Sequence, residues 1–580
     1  MSELAQQLIE ENLRTKAPTL ELGFCGLDGT ESELYALLKD ANHLKTLILS
    51  QAWFSYDYHT TLFTLKKSAN NGYWNAFKQL PDFLPSSIEQ LITTGYPIPL
   101  MSEFHDVTPL EALSNLRYLD LSKNYRIRNG NGLQKLRHLK YLNIEHTNIE
   151  DFSELKTLKY LDFLSIGSNS EPQIPGTDLQ PLTNLKYLSL LGTVTQPQIL
   201  LKSLTQLRRL DWHKADLSDF SFIKNVPQLT HLSIVSSDIA KTNLDWVAQL
   251  PHLQYLSFAD NELTSIAPFT QLKDLKGVDL SHNPIQDFSL MENFKNLEYL
   301  RLSACKMSDV NGLSGLTQLQ YLDLSDNPIE DISPLQNLSQ LTELKLYNNR
   351  LEDIGPLRSL TRLQSLSLAR NEYLNDISPL KGLTKLEDLD LSNNYIADAQ
   401  YLGQLTELQN VMINWNQIRD IDFVKHLPKL THLNLRNNQI EDISPVRHLK
   451  NLRALTLENN PVQDLQVIKN LPQLKSLDLT GITIQNFDIL KPLTHLCNID
   501  FAISKQVAPP TWLATYKITS GPNKLMHCRG LPDLPELTKI WQFFTSSDEA
   551  NQKLGVHLAQ SQQWAPEEIK MYQDLASQAK

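Results

Sequence analysis

Apolar residues return along this chain in a fixed rhythm, L-x-x-L-x-L-x-x-N-x-I/L. The rhythm starts at Leu116, returns at Leu139, Leu161 and Leu185, and runs through to Leu496, which makes 18 units. Of the 17 spacings, 13 are 22 residues and the others are one or two longer. In the unit Leu319 to Ile329, Leu322 and Leu324 alternate with Tyr321, Asp323 and Ser325, the period of a half-buried strand. The leucines are expected to face a core and the polar set to face outward. Asn327 then turns the chain, and its amide can satisfy backbone groups that the turn leaves unpaired. Asn holds this place in 11 of the 18 units, and Thr147, Thr193, Ser237, Cys305 and Ser504 fill it elsewhere. Ala215 and Ile482 interrupt it, so the ladder of amides should be weaker there.

The return path has its own signature. Asp331-Ile332-Ser333-Pro334-Leu335 recurs at Asp376 to Leu380 and, with changes, at Asp353 to Leu357 and Asp442 to Val446. Asp and Ser before Pro favour a tight turn or a short 3₁₀ segment over a long helix. Units of one size that cover one another's apolar edges make a solenoid, which explains how 580 residues can form one array. Strands stacked about 4.8 Å apart would give an inner face roughly 85 Å long.

The unit L-x-x-L-x-L-x-x-N-x-I-x-D-I-S-P-L, as it stands at Leu319 to Leu335, resembles the leucine-rich repeats of the internalin and SDS22-like subclass. The resemblance covers roughly residues 95 to 504. It implies an α/β repeat solenoid, a curved arc with a parallel sheet on its concave side and short 3₁₀ turns on its convex side. It also implies a protein partner read on the concave face.

The chain divides on this reading into four parts. Residues 1–49 hold a helix from about Ser2 to Thr15 and two irregular first units, marked by Leu20, Leu22, Cys25 and Leu27 and by Leu44, Leu47 and Leu49. Residues 50–93 form an insertion rich in aromatics (Trp53, Phe54, Tyr56, Tyr58, Tyr73, Trp74, Phe77), either packed on the flank or presented to a partner. Residues 94–504 are the solenoid. Residues 505–580 follow with two helices, from about Ser547 and from Pro566, that cap the last unit or dock elsewhere.

The outward side chains decide what the array could bind. The first outward position reads Tyr118, Tyr141, Phe163, Tyr187, Arg209, His231, Tyr255, Gly277, Tyr299 and Tyr321 over ten successive units. These aromatics either stack on one another or offer rigid contact area to a partner. The next outward position carries Asp120, Asp211, Asp279, Asp323, Asp390, Asp478 and Asp500. Farther along, Tyr347, Asn348, Asn414, Trp415, Arg436 and Asn437 replace the aromatic row. Trp415 stands just before Asn416, where the core needs no indole, so it is either a partner contact or packs on a neighbouring unit.

Charge and composition narrow the choice. A net charge of -12 disfavours general binding to nucleic acid or to an anionic membrane. Four cysteines do not make a disulfide scaffold, and the polar stretch Met1 to Lys16 does not read as a secretory signal. A cytoplasmic setting is expected, with export lacking a cleaved signal, as of a bacterial effector, the alternative. No nucleotide-binding, serine-hydrolase or zinc-protease motif occurs, and no cofactor is called for. An enzyme in the 505–580 tail ranks last, and His495, Cys497, His527 and Cys528 match no established zinc spacing. The expectation is a binding scaffold without catalysis.

Overall fold

The computed structural model describes residues 3–57, 62–67, 79–94 and 105–502, apart from 24, 26, 28, 29, 40, 51, 81–83, 169–172, 484, 485, 494 and 497, together with Lys517–Thr519 and Leu525–Met526. Contacts group the chain into two compact units, Met1–Asn296 and Leu297–Lys580.

The first unit opens with the helix Glu3–Thr15, which buries Ala5 and Ile9. Strands Thr19–Glu21, Thr46–Ile48, Gln90–Ile92, Tyr118–Asp120, Tyr141–Asn143 and Phe163–Gly167 then follow, each parallel to the next. The series continues through Tyr187–Leu191, Arg209–His213, His231–Val235, Tyr255–Ser257 and Gly277–Asp279. Register is set by the leucines: Leu119 faces Leu142, and Leu142 faces Leu164. Each buried leucine contributes about 1.5–3 kcal/mol relative to exposure. The strand Gln90–Ile92 lies inside the stretch expected to be insertion. Ile88 and Leu91 supply its buried positions, while Thr93 stands where a leucine was sought. Of the insertion itself, an antiparallel hairpin pairs Ala52–Asp57 with Leu62–Lys67, and residues 58–61 and 68–78 lie outside the described residues.

Within the regular repeats of this unit, two successive coils depart from the expected 3₁₀ return. Gly176–Leu179 and Pro197–Ser203 are α-helical. Gly167 and Gly192 have φ of 114° and 111° there, and a Cβ on Gly167 would lie 2.0 Å from the Leu191 carbonyl oxygen, so only glycine fits.

In the second unit the coils are more regular. Parallel strands run from Tyr299–Arg301, Tyr321–Asp323 and Glu343–Lys345 to Ser476–Thr483 and Asn498–Ala502. Lys517–Thr519 adds a further parallel strand and Leu525–Met526 an antiparallel one. The return segments Ser333–Asn337, Ser378–Gly382 and Ser444–His448 are 3₁₀ helices with Pro in the first turn. The Asp331 carboxylate accepts from the Ser333 N–H at 2.7 Å and from its hydroxyl at 2.9 Å, which starts the turn. Asp376 and Asp442 do the same for Ser378 and Ser444. The expected helices beyond Ser547 lie outside the described residues.

The amide ladder is built as the spacing predicts. Asn327 Nδ2 donates to the Leu302 carbonyl of the preceding coil at 2.8 Å and to the Leu324 carbonyl of its own at 3.0 Å. Its Oδ1 accepts from the N–H groups of Cys305 and Met307, 3.0 and 2.9 Å away. Asn349, Asn371, Asn394, Asn416, Asn438 and Asn460 repeat the arrangement. At the interruption, the Ala215 N–H donates to Ser237 Oγ instead, at 2.9 Å. The buried Cys305 keeps its place as a small ladder residue, its Sγ 3.6 Å from the Ser303 carbonyl.

The residue just before the ladder position takes a left-handed backbone in most coils, from Lys123 (φ 63°) through Asp326, Asn348 and Arg370 to Asn459 (φ 56°). That turn points the N–H at the following coil, as when the Asp326 N–H donates to the Tyr347 carbonyl at 2.8 Å. Asn tolerates this conformation well and bulky residues do not. Trp415 adopts it nonetheless, at φ 57°.

Candidate binding surface

The outward aromatic row behaves differently in the two units. In the first, Tyr118 stacks on Tyr141 with ring centres 3.9 Å apart, Tyr141 on Phe163 at 4.0 Å, and Phe163 on Tyr187 at 4.3 Å, all within 13° of parallel. The guanidinium of Arg209 covers the next face, 5.1 Å from the Tyr187 ring centre. Tyr141, Phe163 and Tyr187 thus have a neighbour on both faces and are 1%, 1% and 4% exposed. The expectation that these three offer contact area is corrected: they are packing residues. The Tyr187 hydroxyl is also committed, donating to Asp211 at 2.6 Å, and Arg209 pairs with the same carboxylate at 2.9 Å. Burial pushes both Tyr141 and Tyr187 above the ordinary tyrosine range.

Farther along this unit, His231 stacks on Tyr255 at 4.4 Å. Burial, with the charge of Arg209 behind it, pushes the His231 imidazole down to about 4. Tyr255 is exposed and lies over Gly277, where a Cβ would come within 2.4 Å of the ring. Burial raises the Asp120 carboxyl to about 6, against hydrogen bonds from Ser122.

In the second unit Tyr299 and Tyr321 stack at 4.3 Å, and both are only half-buried. Lys345 donates to the Tyr321 hydroxyl at 3.1 Å and pairs with Glu343 at 3.0 Å. The row ends there, since Ser365, Asp388, Asn410 and His432 follow in register. What replaces it lies at the strand ends. Arg370 covers Tyr347 at 5.6 Å, and Arg436 covers Trp415 at 5.9 Å while pairing with Glu458 at 3.0 Å. Burial raises the Glu458 carboxyl and Arg436 opposes the rise. Trp415 is 50% exposed.

Three exposed apolar side chains of the same unit were not singled out from sequence: Tyr373, Tyr395 and Met412. Tyr395 follows the ladder residue Asn394 directly, outside the strand pattern, where other coils carry Pro328, Arg350 or Gln417, and Tyr373 follows Asn371 by two in a coil one residue longer than 22. A bulky apolar residue at a position the core does not use was the available signal. Cys497, His527 and Cys528 lie outside the described residues, and among the described ones no cluster of His, Cys, Asp and Glu could hold a metal.

Known families match these coils. A leucine-rich repeat region family matches residues 98–245, a leucine-rich repeat family matches 227–285, and a family of paired leucine-rich repeats matches 295–337, 339–382 and 406–448. This chain is a leucine-rich-repeat protein. Its fold is also that of a solved leucine-rich-repeat protein from Leptospira interrogans, at TM-score 0.52 and 23% identity over 64% of this chain and 98% of that one. An internalin of Listeria monocytogenes is 32% identical, with 53% of this chain and 89% of that chain covered and a TM-score of 0.48. The adenylate cyclase of Schizosaccharomyces pombe is 28% identical over 173 residues, 29% of this chain. The chain spans about a tenth of that curated relative, 10% of its length, and the likeness falls within the repeats. Leucine-rich-repeat folds are generally scaffolds for protein interaction and typically lack catalysis of their own. No helix among the described residues is long and apolar enough to cross a membrane.

Proposed function

We propose that this leucine-rich-repeat protein is a scaffold that captures a protein partner on the strand face and rim of its second unit, around Trp415. The carrying observation is the backbone of Trp415. It sits at φ 57° where neighbouring coils place Asn393, Asn437 and Asn459. An indole in that conformation costs on the order of 1 kcal/mol more than Asn, and half of it is left in water. The backbone therefore gives no reason for Trp there, whereas an exposed indole backed by a guanidinium is what binding hot spots use. Tyr395 and Met412 extend the exposed apolar area around it. A rigid sheet holds these groups in place before the partner arrives, so little conformational freedom is lost on docking.

A photoreactive phenylalanine analogue at position 415, irradiated in the native cell, identifies the partner. Trp415→Asn should then melt at the same temperature or higher while binding that partner about tenfold more weakly. Unchanged affinity overturns the reading.

A further inference from the structure

A groove of about 530 Å³ runs along the rim of the second unit, across four successive coils. That is the size of an ordinary ligand site. One wall is the ridge of left-handed residues Asp326, Asn348 and Arg370, and the other is the row just past the ladder, including Lys306 and Arg350. Tyr373 closes one end and is 60% exposed. Strands about 4.8 Å apart put Lys306 and the coil of Arg370 about 14 Å from each other, the length of about four residues of extended chain.

The cations of this groove are unequal. Arg350 has Glu330 at 3.8 Å. Among the described residues, Lys306 and Arg370 have no carboxylate within ion-pair distance. Arg370 lies over the Tyr347 ring at 5.6 Å, which fixes the plane of the guanidinium and leaves its N–H edge for another acceptor. Like Trp415, it occupies a left-handed position, φ 56°, that Asn would fill at lower cost. On the acidic side, Asp326 already accepts from Asn348 Nδ2 at 2.8 Å.

We propose that this groove receives an extended peptide segment bearing two acidic side chains four residues apart, one held by Lys306 and the other by Arg370. In an extended chain, residues i and i+4 share a face and lie about 13 Å apart, which matches the separation of the two cations. Asp326, on a coil between the two cations, repels a third acidic side chain there, so the segment is neutral in its middle. The inference rests on the protein-binding reading above but uses none of the residues that carry it.

The test uses the full chain and two fluorescein-labelled pentapeptides, Glu-Ala-Asn-Ala-Glu and its Gln-Ala-Asn-Ala-Gln counterpart, both with blocked ends. In fluorescence anisotropy at low salt, the acidic peptide should bind about tenfold tighter than the neutral one, and salt should erase the difference. Arg370→Asn keeps the left-handed turn, and Lys306→Gln changes an exposed side chain, so both fold. Each should cut the preference about threefold, and the double variant should abolish it. Equal binding of the two peptides by the unaltered chain overturns the proposal, as does a preference that survives in the double variant. Trp415→Asn separates the two readings. It should leave the peptide preference intact, so failure at Trp415 and failure in the groove are read independently.

Discussion

Rings at the same place on the strand do opposite things in the two units. Tyr141 and Phe163 are sandwiched on both faces, and their neighbours Tyr187 and Arg209 are tied to Asp211. Tyr299 and Tyr321 make one stacked pair, and the charged and polar residues that follow leave them half open. The contrast lies in what covers each ring, not in the kind of residue. A ring closed in on both faces and tied at its edge becomes core, as Tyr187 does under Arg209 and Asp211, and a ring left open stays surface. Aromatic side chains on a repeat sheet are thus no evidence of binding until their neighbours in register are known.

This contrast can be broken by mutation. Phe163→Ala removes the middle of the stack and should cost about 3–5 kcal/mol. Hydrogen exchange should rise across strands 141–191 and stay unchanged in the second unit; equal protection in the variant would mean that the rings do not hold these strands. Asn327→Ala leaves the Cys305 and Met307 N–H groups without their acceptor, and at about 1–3 kcal/mol for each group left unsatisfied the loss should reach about 3 kcal/mol. Its effect should concentrate on the coils of Cys305 and Asn327. Tyr321→Ala, at the open end of a short run, should cost only about 1 kcal/mol. A loss as large as that of Phe163→Ala would erase the distinction between the units.

The smallest effect is on pH, because solvent screens a half-buried ring. The His231 imidazole titrates near 4 when folded, below its usual 6.5, so the unfolded chain binds the extra proton first. Its contribution is fully present above about pH 6.5 and is lost as pH falls towards 4. Asp120 works the other way. Its folded value of about 6 makes its contribution fall as pH rises through 6. His231→Gln removes the first slope and leaves the second, a difference that denaturant melts between pH 4 and 7 would resolve.

Much of the fold was legible because it depends on local spacing. The leucine pairs, the ladder asparagines and the Asp-x-Ser-Pro turn each state their role within one unit, and the strands and 3₁₀ segments fall where they indicate. The left-handed position was not legible. Lys123, Ser236, Ala304, Arg370 and Trp415 share no chemistry, and only the backbone around them imposes the conformation. Burial of Tyr141, Phe163 and Tyr187 was hidden for another reason: alternation tells which side of a strand a ring leaves from, not what lies against its faces. The rim groove draws Lys306, Arg350 and Arg370 from different coils, and each is unremarkable within its own.

The amides of the second unit all reach backwards. Asn327 clasps Cys305 and Met307, Asn349 clasps Ile329, and Asn460 clasps Ile440, each holding the coil before its own. A coil is therefore latched by its successor, and the structure has a direction in which it unravels. Trimming from the front leaves a side-chain amide with nothing to hold, while trimming from the back leaves backbone N–H groups with nothing to hold them. Ile482 has no amide with which to reach back to the coil of Asn460, so the first latch already missing marks where fraying begins.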